Sequence, residues 1–461
     1  MRKKLLSIFL CIVMAVTMLT GCGGKSTTTG KDGGSKKEDT KKDDEKPTAT
    51  PAVTTVGEGT PLEMWTFVEL HSKFYAKMVD KWNKENPDKK VKITFTTYPY
   101  ADMHNKLTMA LQTGEGAPDL CDVEIGQFPN FTKDTSSLYP LDDAIKPYQD
   151  KLVKARLDIY SKDGKIYGAP THVGATVMYY NTKILKQYGI DYTKIKTWDD
   201  YAAAGEKLKK ASNGKVMMTS VDTASVDWMW IAMSEYGEDW TTTKDGKANV
   251  QLKSVKKMLN MQAKWLKDKI AMVSPGGHVD MEEGFANIGD GKIASFPKAL
   301  WYMSRFLSYM PEMKGQWAIA PCPVFEEGQP RSVGIGGTGT IVTQQSKNAK
   351  LAAEFIAYAK CSEEGEKGIW NELGFDVCNT SIWNDESITK DKTNKYLQYF
   401  VTNPFDVLNE VKDEIGKINV KEISTTINSQ MCDTTLNEIF EDGVSVDDAL
   451  QEAQDAVDSE Q

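Results

Sequence analysis

The chain has 461 residues and a formal net charge of −9, with 40% of residues hydrophobic and 26% charged. At roughly 100–200 residues per domain, that length calls for two or three domains, and the composition excludes both wholesale disorder and a polytopic membrane protein. The part after residue 56 is more acidic than the whole, because Arg2, Lys3 and Lys4 sit at the front; such a body is a poor nucleic-acid binder, since phosphates need a basic face, although a local pocket can override net charge.

The front reads as an address. A short basic start, Met1 to Lys4, precedes an apolar run from Leu5 to Thr20 that is too short for a comfortable membrane span. Residues 1–21 are therefore expected to be a signal peptide. The ending Leu19-Thr20-Gly21-Cys22 resembles the bacterial lipobox, in which the Cys thiol accepts a diacylglycerol. Stable anchoring needs two acyl chains, and Cys22 is the expected lipidation site. Residues 22–56 are rich in Gly, Ser, Thr, Lys, Asp and Pro; they cannot bury enough surface to offset their ordering entropy and are expected to form a disordered tether. Cys121, Cys322, Cys361, Cys378 and Cys432 remain in the body without C-x-x-C spacing. They read as buried small hydrophobes, with one chance pair left open.

In chain order, Leu62 to Phe67 alternates like a strand. Phe74, Met78 and Trp82 recur at helical spacing, and Asn86-Pro87 stops that helix. Val91, Ile93 and Phe95 alternate again, so this β-α-β unit predicts a parallel pair. Met103, Leu107, Ala110 and Leu111 mark a second helix, and Asp119 to Ile125 a third strand. Asp163-Gly164 predicts a hairpin turn, and Val173 to Tyr180 another strand. Thr197 is placed to cap a helix running through Ala204 and Leu208. Val255, Met258, Leu259, Trp265 and Leu266 predict an amphipathic helix, as do Leu351, Ala352, Phe355, Ile356 and Ala359. Ile293 to Phe296 and Trp317 to Pro321 are short strands. No internal repeat is evident.

Five stretches taken together carry a resemblance. They are Gly116-Ala117-Pro118-Asp119-Leu120; Leu138-Tyr139-Pro140-Leu141-Asp142-Asp143; Gly164 to Pro170; Tyr179-Tyr180-Asn181 followed by Thr197-Trp198-Asp199; and Gly291-Lys292-Ile293-Ala294 with the later Ser346-Lys347-Asn348-Ala349. In this order and behind a lipobox, they resemble the extracellular solute-binding lipoproteins of ABC sugar importers, of arabinose, lactose or oligosaccharide type. The resemblance implies an α/β, two-lobed periplasmic-binding-protein-like fold (type II), each lobe a doubly wound sheet, with a hinge of crossing strands. It places lobe I at 57–173 and 330–378 and lobe II at 174–329 and 379–461. It implies a mono- or oligosaccharide between the lobes, an ABC permease in the membrane as partner, no cofactor and a monomer on the outer face of a bacterial cell membrane.

Candidate residues divide between packing and binding. Gly334-Ile335-Gly336-Gly337-Thr338-Gly339 matches G-x-G-x-x-G, but Thr340-Ile341-Val342 after it reads as strand, which argues against a nucleotide loop. Gly336 and Gly337 are read instead as a crossing loop that lets backbone approach a ligand or the other lobe. The histidines His71, His104, His172 and His278 lack metal-site spacing, and no G-x-S-x-G nucleophile motif occurs. Trp82, Trp198 and Trp265 read as core. Trp65 lies at the end of the first strand and Glu69 just after it, where open α/β sheets bind ligands. Asp227-Trp228-Met229-Trp230 offers two indoles, and the resemblance implies that Trp228, Trp230 or Trp301 stacks on a sugar face. Glu69, Glu124, Asp227 and Asn379 are candidates for the hydroxyl edges. The resulting reading is a tethered carbohydrate-binding protein, not an enzyme. A surface glycoside-active enzyme and a binder of a non-sugar solute remain the alternatives.

Overall fold

A computed structural model describes residues 51–242 and 246–460. The signal region, Cys22 and most of the expected tether lie outside the described residues. One boundary is corrected: residues 52–56, expected to belong to the tether, form with Gly57 the strand Ala52–Gly57, paired antiparallel with Val91–Thr97. The segment was read by its polarity, whereas Val53, Thr54, Thr55 and Val56 are β-branched and suit an edge strand.

Two α/β lobes follow. The first is built on a six-stranded sheet, in the order Ala52–Gly57, Val91–Thr97, Thr60–Thr66, Leu120–Glu124, Thr338–Val342, Ala169–Pro170. Thr60–Thr66 is parallel to both its neighbours, as the β-α-β pattern requires. The intervening helix Glu69–Glu85 buries Phe74, Tyr75, Met78, Val79 and Trp82; Pro87 lacks the N–H needed to continue it. The second lobe centres on Thr176–Asn181, flanked antiparallel by Ser295–Ala299 and Trp317–Ala320. A parallel pair, Thr219–Val221 and Ala271–Val273, extends it through a bridge between Met217 and Ile293. The helix Trp198–Ser212 opens with a capping box between Thr197 and Asp200.

The chain passes between the two sheets over residues 171–175 and again over 333–337. The crossings touch at the Ala175–Gly334 bridge, and Ile335 N–H donates to Gly174 O at 2.8 Å. Gly174 has φ 72°, and a Cβ there would lie 2.4 Å from Ile335 O, so only glycine admits this approach. A third connection, near 374–379, joins them: Val173 N–H donates to Asp376 O at 2.8 Å and Val153 N–H to Cys378 O at 2.9 Å. The G-x-G-x-x-G segment runs into the strand Thr338–Val342 rather than a helix. The five body cysteines are free thiols.

A buried hub fixes the first sheet. The Asp122 carboxylate accepts from Thr66 Oγ1 at 3.0 Å, Tyr75 Oη at 2.8 Å and Thr340 Oγ1 at 2.6 Å, with His71 Nδ1 at 3.1 Å. Lys360 Nζ donates to Thr340 Oγ1 at 2.7 Å. Burial works to raise the Asp122 carboxyl, but His71, Lys360 and Thr340 together hold it well below the usual carboxylate range.

Candidate functional site

The carboxyl end of Leu120–Glu124 forms one wall of a cleft. Glu124 Oε2 accepts from Gly126 N–H at 2.7 Å and Tyr100 Oη at 3.2 Å. Tyr100 opens the helix Tyr100–Thr113 and meets Phe67 edge-on at 5.2 Å. His104 is locked as a neutral imidazole: Nε2 accepts from Glu124 N–H at 3.1 Å, so Nδ1 carries the proton toward Tyr100 O at 2.8 Å. Burial pushes His104 down to about 4, in agreement with a neutral ring. Ile125 N–H donates to Gly337 O at 2.9 Å, which ties this wall to the second crossing.

The facing wall comes from the second lobe. Asp227 is the first residue of the helix Asp227–Tyr236 and pairs with Lys298, which is only 3% exposed. Lys298 also meets His278 Nε2. Behind them Asp222 Oδ1 accepts from Ser274 Oγ at 2.5 Å. Burial would raise the Asp227 carboxyl, and the Lys298 ammonium beside it overcomes that, so it stays below its ordinary value. Trp301 is partly buried, with the Lys298 ammonium 5.4 Å and the Arg305 guanidinium 5.6 Å from its ring centre. Arg305 is fixed in turn by Asp280, Nε to Oδ1 at 2.8 Å.

The walls meet. Trp301 Nε1–H donates to Ile335 O at 3.2 Å, on the second crossing. Gly336 has φ 71°, and a Cβ there would stand 3.0 Å from Trp301 Nε1, so the loop approaches the indole because it lacks a side chain. Asn130 reaches Thr425 Oγ1 at 3.5 Å, and Lys133 reaches Glu422 at 3.7 Å. Glu124 is pushed up to about 7, mainly by burial, with the Asp227 charge adding to it from the other lobe. The two carboxylates therefore sense each other across the cleft. The arrangement brings acceptors, a proton-bearing acid near neutral pH, cations and an indole to one place.

The expected site residues separate on this geometry. Glu124, Asp227, Trp301, Gly336 and Gly337 come together at the cleft and the crossing beside it. Trp65, Trp228 and Trp230 are corrected by their packing. Trp65 is 5% exposed and lies edge-on to Tyr98 at 5.3 Å in the first-lobe core. Trp228 sits in an indole cluster with Trp198 at 5.6 Å and Trp265 at 5.9 Å. Trp230 packs edge-on to Trp240 at 5.0 Å. Their segment is a helix, which turns the two indoles into different parts of the core. Glu69 is exposed and paired with Lys73 at 2.9 Å. Asn379 is 1% exposed, and its side-chain oxygen accepts from Ser381 N–H at 3.0 Å, so it shapes the third connection. Tyr100, His278, Lys298 and Arg305 were not anticipated. A lysine between Pro297 and Ala299 in an otherwise apolar strand was the available signal for Lys298.

Two lobes, three connections and a polar cleft between strand ends define a hinged binding protein. Residues 67–365 match the model of the bacterial extracellular solute-binding protein family, and the chain belongs to that family. It is similar to the arabinooligosaccharide-binding protein of Bacillus subtilis (strain 168), 40% identical over 424 residues, covering 91% of each chain. It is 39% identical over 406 residues to the arabinooligosaccharide-binding protein of Halalkalibacterium halodurans, covering 87% of this chain and 89% of that one. Its fold is similar to the ABC-transporter-associated binding protein of B. animalis subsp. lactis, solved with β-1,6-galactobiose, at TM-score 0.72 and 20% identity, covering 87% and 97% of the two chains.

Proposed function

We propose that this protein captures an oligosaccharide of the arabino-oligosaccharide class and delivers it to an ABC permease, while tethered to the outer face of the cell membrane through Cys22. The observation that carries the reading is the pair of relatives at 39% and 40% identity, each matched over most of both chains and each bearing that ligand in its name. The cleft supports it. A sugar has C–H faces that suit an aromatic ring and hydroxyls that need both donors and acceptors. Trp301 supplies the first, and Glu124, Asp227 and Tyr100 the second, with Gly336 and Gly337 bringing backbone close. The lobes, 57–173 with 330–378 and 174–329 with 379–461, rotate about the crossings, and the protein acts as a monomer.

Calorimetric titration against arabino-, xylo-, galacto- and malto-oligosaccharides and free arabinose tests the ligand. Tightest binding is expected for an arabino-oligosaccharide, and a preference for any other member of the panel would replace this reading. Cys22→Ala is expected to release the protein from membranes or leave it unprocessed. A variant still processed and membrane-bound would remove the anchor from the proposal.

A further inference from the structure

A second pocket, of about 350 Å3, lies at the hinge. Val153, Arg156 and Ile159 supply its first-lobe wall. Ile415 and Gly416, from the part assigned to the second lobe, supply the other and pair in parallel with Ser332–Val333 at the start of the second crossing. Val173 and Gly334, one from each crossing, line it, whereas Gly336 faces Trp301. The crossings therefore stand between this pocket and the cleft, and Glu124, Asp227 and Trp301 are not among its walls.

Its charge runs against that of the protein. Lys412 and Lys417 stand exposed at the rim, and neither forms an ion pair among the described residues. Arg156 is 2% exposed, and both its terminal nitrogens lack a hydrogen-bond acceptor. Asp413 is the one carboxylate lining the pocket. Asp376 lies behind the wall within reach of the Arg156 charge, but burial pushes it up to about 7 and one of its oxygens has no partner. It leaves Arg156 incompletely compensated at neutral pH. Trp383, Val153, Ile159, Val173 and Ile415 give the interior an apolar character. A chain of net charge −9 thus presents a half-enclosed positive site with room for a small organic body.

We propose that this hinge pocket is a second ligand site, taking a compact organic anion, and that its occupation favours the closed lobes. The anionic group meets Lys412 and Lys417 in the field of Arg156, and the body lies toward Trp383. Because the pocket draws its walls from both lobes on the far side of the crossings, a rotation that opens the cleft narrows it. The anion therefore binds the closed form better, and linkage makes it tighten binding in the cleft by the same factor.

Calorimetry with citrate, galacturonate and inorganic phosphate in separate arms tests the site on the mature chain with no oligosaccharide present, so the outcome is independent of the ligand proposed for the cleft. Saturable binding of at least one organic anion is expected, tighter than that of phosphate and weakened roughly tenfold or more in Lys412→Ala/Lys417→Ala. Solution scattering is expected to show a smaller radius of gyration at anion saturation. Cleft-ligand affinity should then rise roughly 5-fold or more. No saturable binding of either organic anion in the millimolar range, equal binding of phosphate, or binding indifferent to the two lysines would overturn the site. Binding without compaction would overturn the coupling.

Discussion

Glu124 shows what a single side chain decides. Its folded-state acidity, about 7, lies above the ordinary carboxylate value that it regains on unfolding. Between those two values the native state holds more protons than the unfolded chain, so this group makes stability fall as pH rises from about 4.5 to about 7. Glu124→Gln keeps an oxygen for Gly126 and Tyr100 but removes the titration. Ligand-free, the variant is expected to gain about 1–3 kcal/mol over wild type at pH 8 and little at pH 4.5, read from urea melts at both pH values. An equal offset at the two would mean that Glu124 does not titrate in that window. Two tryptophans make the complementary case. Trp301→Ala is expected to weaken ligand binding by roughly 5- to 150-fold with a small loss of stability. Trp228→Ala should cost about 3–5 kcal/mol of stability through a cavity in the indole cluster, with affinity retained in the folded fraction. Calorimetry and thermal melts on both variants separate the roles, and a Trp301→Ala protein of wild-type affinity would remove the indole from the cleft.

Secondary-structure elements are held in place by polar contacts as well as apolar stripes. The Asp122 hub joins the strands Thr60–Thr66, Leu120–Glu124 and Thr338–Val342 to the helices Glu69–Glu85 and Ala349–Cys361. Lys360 is buried without exposure, and burial brings it down to about 8, so its charge depends on Asp122 nearby. Asp122→Asn leaves that ammonium uncompensated, and a loss of about 3–5 kcal/mol is expected in denaturant melts. Adding Lys360→Met should return part of the loss, because the two sites share one network. Additive effects of the two substitutions would show that the hub is not a coupled unit.

At the scale of the whole molecule, contacts between the lobes at the cleft include Trp301 on Ile335, Asn130 on Thr425 and Lys133 on Glu422, and others such as Arg331 with Glu410 and Glu414 and Trp370 against Phe405 lie nearer the connections. The crossings at 171–175 and 333–337 are short and carry no helix, so rotation about them is the expected motion. A ligand that contacts both walls favours the closed arrangement by its differential affinity. Saturating cleft ligand should reduce the radius of gyration in solution scattering without a change in molecular mass. Equal radii with and without ligand would rule out hinge closure as the capture step.

Local chemistry is what the sequence by itself determined. Periodicity marked the β-α-β unit, the helix Lys253–Lys267 and the helix Ala349–Cys361 because each pattern reports the single face an element buries. Thr197 announced its capping box, and strand-like residues after Gly339 denied the glycine motif a phosphate-binding helix. Polarity misled at residues 52–56, where pairing with Val91–Thr97 satisfies a backbone that composition assigns to the tether. The site was legible only in part. Glu124 and Asp227 could be named one at a time, but an acidic residue carries no sign of what will face it. Whether an indole stacks on ligand or on other indoles depends on which elements converge around it. Trp228 and Trp301 are chemically the same side chain, and the tertiary structure sent one into a core and the other to the cleft. The hinge pocket rests on the same physics: Arg156 is far in sequence from Lys412 and Lys417, and only the meeting of two lobes puts their charges on one cavity.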